Sequence, residues 1–157
     1  MSAPPPTTLV ALPTEAAKPL AGRRSVRASS ESLESFDLLA CGAAAEEALQ
    51  LALARPGAVR ALVLSAVPPP AGGPLIERFA ALKIPTLVLF GTRDTQIPPE
   101  AGRRWRALLP GCHIVWIYEA GRDASAERPE AFAQIVLDFL SDPAAFLVNR
   151  RSGALQP

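Results

Sequence analysis

Between Phe36 and Ser65 the chain passes through an apolar segment, a turn of small residues, an alanine-rich stretch and a second apolar segment. That order leaves little choice of fold. Phe36-Asp37-Leu38-Leu39 is a short apolar run, Ala40-Cys41-Gly42-Ala43-Ala44 a small-residue turn, and the residues up to Arg55 read as helix. Pro56-Gly57 breaks the chain before the second run, Arg60-Ala61-Leu62-Val63-Leu64-Ser65. Parallel strands need a crossover between them, usually a helix, and strand–helix–strand is that unit.

The alternation continues to residue 142. Ala43 to Ala54 sets Ala45, Leu49, Ala52 and Leu53 on one helical stripe. The breakers Pro68 to Pro74 mark a loop, and Leu75 to Leu82 a short helix before Ile84-Pro85. Thr86-Leu87-Val88-Leu89-Phe90 is apolar without interruption, as befits a strand covered on both faces. Pro99 opens a helix running to Leu109, and His113 to Tyr118 is the next strand. The last helix begins at Pro129, with Phe132, Ile135, Val136, Phe139 and Leu140 on its buried stripe. The fold class is therefore α/β: a mostly parallel sheet with flanking helices.

Three units are expected. Residues 1–35 form a flexible arm, with one β-prone piece at Thr7 to Leu12; 36–142 form the domain; 143–157 form a tail, basic from Phe146 on. The arm's Pro, Ala, Ser and Arg content also fits an organellar transit peptide, but Pro4-Pro5-Pro6 argues against an amphipathic helix there. The net charge of +1 gives no reason to expect nucleic acid or an anionic membrane, and no apolar run reaches the length of a membrane span. Two cysteines form neither a metal-ligand spacing nor a disulfide framework, which fits a reducing, cytoplasmic setting. No cofactor or metal is expected.

Three segments carry a resemblance to a known family. They are Leu38-Leu39-Ala40-Cys41-Gly42-Ala43-Ala44, then Ile84 to Asp94 ending in Phe90-Gly91-Thr92-Arg93-Asp94, and Ala120-Gly121-Arg122-Asp123. Residues 36–142 resemble the C-terminal half of an α/β-hydrolase, in truncated form. The resemblance implies a nucleophile elbow centred on Gly42, a catalytic acid at Asp94 and a base at the Arg122 turn, in the family's chain order. Two of the three are the wrong residue. Glycine has no side chain to attack with, and arginine keeps its proton, so neither nucleophile nor general base is present. The degenerate triad Gly42, Asp94 and Arg122 implies that the ordinary chemistry is lost.

Cys41 is the weak alternative nucleophile. Centring the elbow on it would put Leu39 where only a small residue fits, and the single histidine, His113, opens a strand away from the Arg122 turn. A buried structural thiol is the better reading. Asp94 either satisfies its own turn or pairs with Arg122, whose guanidinium would stand where the family has an imidazole. Glu46 and Glu47 fit a first helical turn, where acids favour the helix dipole.

The resemblance also implies what is missing. Only about 35 residues precede Phe36, without a motif for oxyanion donors. The strand at 36–40 would then be a bare edge, covered either by Thr7 to Leu12 or by another chain. A protein partner or a homo-oligomer through that edge is expected. Two functions remain open: a catalytically inactive structural or interaction subunit, or an active hydrolase or small-molecule binder using a non-standard site.

Overall fold

The computed structural model describes residues 7–146 and a two-residue strand at 154–155. Its strands are β1 (Leu9–Leu12), β2 (Val26–Arg27), β3 (Phe36–Cys41), β4 (Val59–Ser65), β5 (Thr86–Gly91), β6 (His113–Ile117) and β7 (Ala154–Leu155). They form one sheet in the order β2-β1-β3-β4-β5-β6-β7. All pairings are parallel except that of β6 with β7. The helices are α1 (Ala45–Ala54), α2 (Pro74–Ala81), α3 (Ala101–Leu108), α4 (Ala124–Glu127) and α5 (Pro129–Ser141), with 3-10 turns at Thr14–Leu20 and Gly42–Ala44.

Strand alternation divides the core into two layers. Leu87 and Leu89 of β5 pack on one face, Val88 and Phe90 on the other. α5 covers the first face with Phe132, Ile135, Val136, Phe139 and Leu140, all buried as their spacing requires. α1, α2 and α3 cover the second through Ala48, Leu49, Ile76, Phe79 and Trp105. Trp105 also donates its indole N–H to the Val67 carbonyl at 2.9 Å. On α1 the buried set is Ala45, Ala48, Leu49 and Ala52, and Leu53 lies at its margin, only half buried.

Two expectations are corrected. Residues 7–27 are part of the domain rather than an arm: Leu9, Val10 and Ala11 are buried, and so are Ala16, Ala17 and Leu20 of the 3-10 turn. β1 pairs with β3 along Leu9 to Leu12, the first of the two expected covers, so the strand at 36–41 is interior and the expected contact with a partner through that edge is what is corrected. Burying the apolar face of β1 outweighs the cost of ordering the segment. The first six residues of the arm lie outside the described residues, as do 147–153 and 156–157 of the tail. Phe146, where the basic part of the tail begins, is buried.

β3 carries a charge inside its apolar run. Asp37 shares the face of Leu39 and is fully buried. It accepts from Arg60 at both carboxylate oxygens, Nε to Oδ1 at 3.0 Å and Nη2 to Oδ2 at 2.7 Å, while Arg24 pairs with Oδ2. Arg24 Nε also donates to the Thr7 carbonyl at 2.8 Å, and Arg60 Nη2 to the Leu140 carbonyl at 2.6 Å. The cluster thus ties the start of β1 and the approach to β2 to β3, β4 and the end of α5. Burial pushes the Asp37 carboxyl up despite the two guanidiniums, and burial likewise pushes Arg24 down.

Candidate functional site

β3 ends in extended geometry at Cys41, and Gly42 then turns the chain into α1 with φ at 55°. A Cβ built at Gly42 meets nothing within 4 Å, so the position has room for a side chain but a backbone that glycine favours. A sharp strand-to-helix turn of this kind is the frame that exposes a hydrolase nucleophile.

A cleft of about 430 Å³ lies at this end of the sheet. Pro13 enters it from the end of β1, Cys41 and Gly42 from β3, Ser65 from β4, and Arg122 and Asp123 from the turn after β6. The carboxyl ends of parallel strands are where open α/β sheets place their ligands. Glu15 and Lys18 add one charge of each sign to the wall. Pro13 has no N–H, so at the residue after β1 the backbone offers the cleft no donor. Glu15, Lys18 and Ser65 were not legible as site residues, because nothing in a lone 3-10 turn or a strand's last residue marks them.

The cleft brings Gly42 and Arg122 together; Asp94 is not among its lining residues. Asp94 follows β5, 9% exposed, and its Oδ1 accepts from the Gln96 N–H at 2.9 Å. Its Oδ2 is buried without a partner. Arg122 does not pair with it: the guanidinium donates to the Gln96 side-chain carbonyl. Of the two readings of Asp94, the structure has the one in which it satisfies its own turn; Gln96 stands between it and Arg122, meeting Asp94 through its backbone N–H and Arg122 through its side chain. An aspartate bonding the N–H two residues on is an Asx turn, a signal that could have found Gln96. Asp123 is occupied locally, accepting from Ser125 Oγ at 2.8 Å and capping α4.

Cys41 sits opposite Ser65 in the strand register. Burial pushes its thiol up to about 11, against a hydrogen bond from Ser65, and the Asp123 charge adds to the rise. A raised thiol pKa leaves on the order of 10⁻⁴ of the thiolate at pH 7. Alkylation of Cys41 by iodoacetamide is therefore expected to accelerate about tenfold per pH unit until pH approaches 11. A rate profile levelling off below pH 9 would contradict this environment.

His113 opens β6 at the opposite end of the sheet. Its ring packs edge-on against Phe146 at 5.1 Å and Phe139 at 6.1 Å, and burial followed by the Arg106 charge pushes its pKa down. It is the chain's only histidine, so the cleft holds no imidazole. Glu46 and Glu47 are exposed on the first turn of α1, where Glu46 accepts from Gln50 at 3.3 Å. Among the described residues no three His, Cys, Asp or Glu side chains gather as a metal site, and no helix is long and apolar enough to cross a membrane.

No family model matches the chain. A 2-hydroxy-6-oxononadienedioate/2-hydroxy-6-oxononatrienedioate hydrolase of Pseudomonas putida is 36% identical over 64 residues, 41% of this chain. The match spans 22% of that hydrolase's length. Among solved structures, the thioesterase domain from the curacin biosynthetic pathway superposes with a TM-score of 0.66 at 13% identity, over 85% of this chain and 92% of that one. The meta-cleavage product hydrolase of Pseudomonas fluorescens IP01 superposes with a TM-score of 0.58 at 13% identity, over 70% of this chain and 66% of that one. In fold, and in sequence over part of its length, the chain resembles the α/β-hydrolase superfamily.

Proposed function

We propose that this chain is a non-catalytic α/β-hydrolase-like protein serving as a structural or interaction subunit of an assembly, with another protein or with its own copies. One observation carries the reading. The cleft at the elbow presents Gly42 and Arg122 where the resemblance requires a nucleophile and a base. Loss of a triad member removes most of its rate advantage, and two are lost here. The thiol beside the elbow is held protonated, and Pro13 supplies no N–H toward an oxyanion. The contact once expected at residues 36–40 is not part of the proposal, because β1 occupies that edge. A cytoplasmic setting is supported by two free cysteines.

The second reading is an active hydrolase with a non-standard site. The similarity to a hydrolase and the buried, half-partnered Asp94 favour it. Steady-state assays with p-nitrophenyl acetate and an activated thioester separate the two. The non-catalytic reading expects rates at the buffer background, unchanged in Cys41→Ala and Asp94→Ala. Turnover abolished by either substitution would establish the hydrolase.

A further inference from the structure

The opposite end of the sheet carries a second cleft, of about 480 Å³. α2 supplies Phe79 and Ala80, the approach to β5 supplies Ile84 and Pro85, and Leu109 and Cys112 close the far side. The lining is apolar with one charge, Lys83, and no carboxylate among the described residues.

The α3 side of the cleft is basic. α3 carries Arg103, Arg104 and Arg106 with no acidic residue between Ala101 and Leu108. None of the three forms an ion pair among the described residues. Burial pushes the thiol of Cys112, a lining residue, up to about 11, against the charge of nearby Arg106, three residues before the lining residue Leu109. Arg103 is about one turn earlier on the same helix, so the two arginines share one of its faces. Unpaired like charges on one short helix oppose its folding unless something else meets them.

Lys83 adds an independent sign. It follows the end of α2 with φ at 54°, donating its N–H to the Ala80 carbonyl at 3.2 Å. That is the position after a helix cap where glycine is ordinarily favoured. A lysine held there against backbone preference, at the rim of an apolar cleft, is a candidate for function.

We propose that this cleft docks an acidic segment of a partner protein, with an apolar side chain between Phe79, Ile84 and Leu109 and flanking carboxylates on Lys83 and Arg106. The apolar floor takes a side chain, and the basic rim selects the charge beside it. Nucleic acid is disfavoured, since its binding draws on many phosphate contacts and the chain's net charge is only +1. The inference rests on the interaction reading only in requiring a partner. It does not use the elbow, so peptide binding and acyl turnover fail independently.

The test is fluorescence anisotropy with the full chain and a labelled peptide, Asp-Glu-Leu-Phe-Glu-Asp. Binding about tenfold tighter than that of a peptide with Ser-Ser at its centre, or of one with Lys and Arg at its ends, is expected. Arg106→Glu should weaken it about tenfold, as a like charge set against the ligand. Lys83→Gly should weaken it severalfold while leaving the melting temperature equal or higher, which separates the lost charge from any folding defect. Absent binding, equal binding of the Ser-Ser peptide, or full binding by both variants would overturn the proposal. Tighter binding of oligothymidylate would overturn it in favour of nucleic acid.

Discussion

Replacing Asp37 with alanine is expected to lower folding stability by about 3–5 kcal/mol, read as a fall in the urea midpoint at unchanged slope. The expectation follows from what the substitution leaves behind. Arg24, its side chain 5% exposed, would keep a buried guanidinium with one backbone carbonyl for a partner. Arg60, at 35%, can turn toward water, so Arg60→Ala should cost clearly less than Asp37→Ala. Against a domain stability of about 5–15 kcal/mol, the loss is a large share of the whole. The intact cluster is a weaker stabiliser than its collapse suggests. Burial pushes Asp37 up and Arg24 down, so desolvation outweighs the ionic attraction on both sides. Replacing Arg24, Asp37 and Arg60 together with Met, Leu and Met should therefore be near neutral, reduced by the donors lost to Thr7 and Leu140. A loss below about 1 kcal/mol in Asp37→Ala would contradict this view of the cluster.

Gly91→Ala should be the next most damaging change, at or above the upper end of the usual overpacking cost of about 1–3 kcal/mol. Its Cβ would fall 2.6 Å from the Ala120 carbonyl carbon and closer still to the carbonyl oxygens of Ala120 and Gly121. Backbone cannot swing aside as a flexible side chain can. The Ala120 carbonyl is also engaged, accepting from the Arg93 N–H at 2.8 Å, and the Gly91 carbonyl accepts from Asp94 N–H at 3.1 Å. The added methyl therefore pries apart the two turns that carry Asp94 and Arg122. A fall in melting temperature of about 6–12 °C is expected. Gly42→Ala provides the contrast: its Cβ enters open space, and only the left-handed backbone opposes it, by about 1–2 kcal/mol. If Gly42→Ala proved the more harmful, steric closure at Gly91 would not be what holds these turns.

Most of the sheet was legible because alternating apolar runs and helical stripes report burial directly. β3 to β6, α1 to α3 and α5 stand within a few residues of where the pattern puts them. What escaped depends on partners distant in the chain. Asp37 reads as one polar residue in an apolar run, and its arginines stand 13 and 23 residues away in sequence. Thr7 to Leu12 is β-prone and one of the two covers the sequence allows for β3; that it, rather than another chain, takes the place follows from burying Leu9 and Val10, which no local signal encodes. At the candidate site, Gly42 was legible because a tight turn needs small neighbours on both sides. The partner of Arg122 was not, because opposite charges in adjacent turns invite an ion pair whether or not another residue intervenes. Gln96 intervenes.

Covalent trapping addresses the elbow most directly. The intact chain is incubated at neutral pH with a fluorophosphonate and, separately, with an activated thioester, and its mass is then recorded. A chain whose elbow centres on Gly42, with a protonated Cys41 beside it, should show no adduct with either reagent. A stoichiometric adduct mapped to Cys41 or another residue of the cleft, and suppressed in Asp94→Ala, would mean that a working nucleophile survives at the turn.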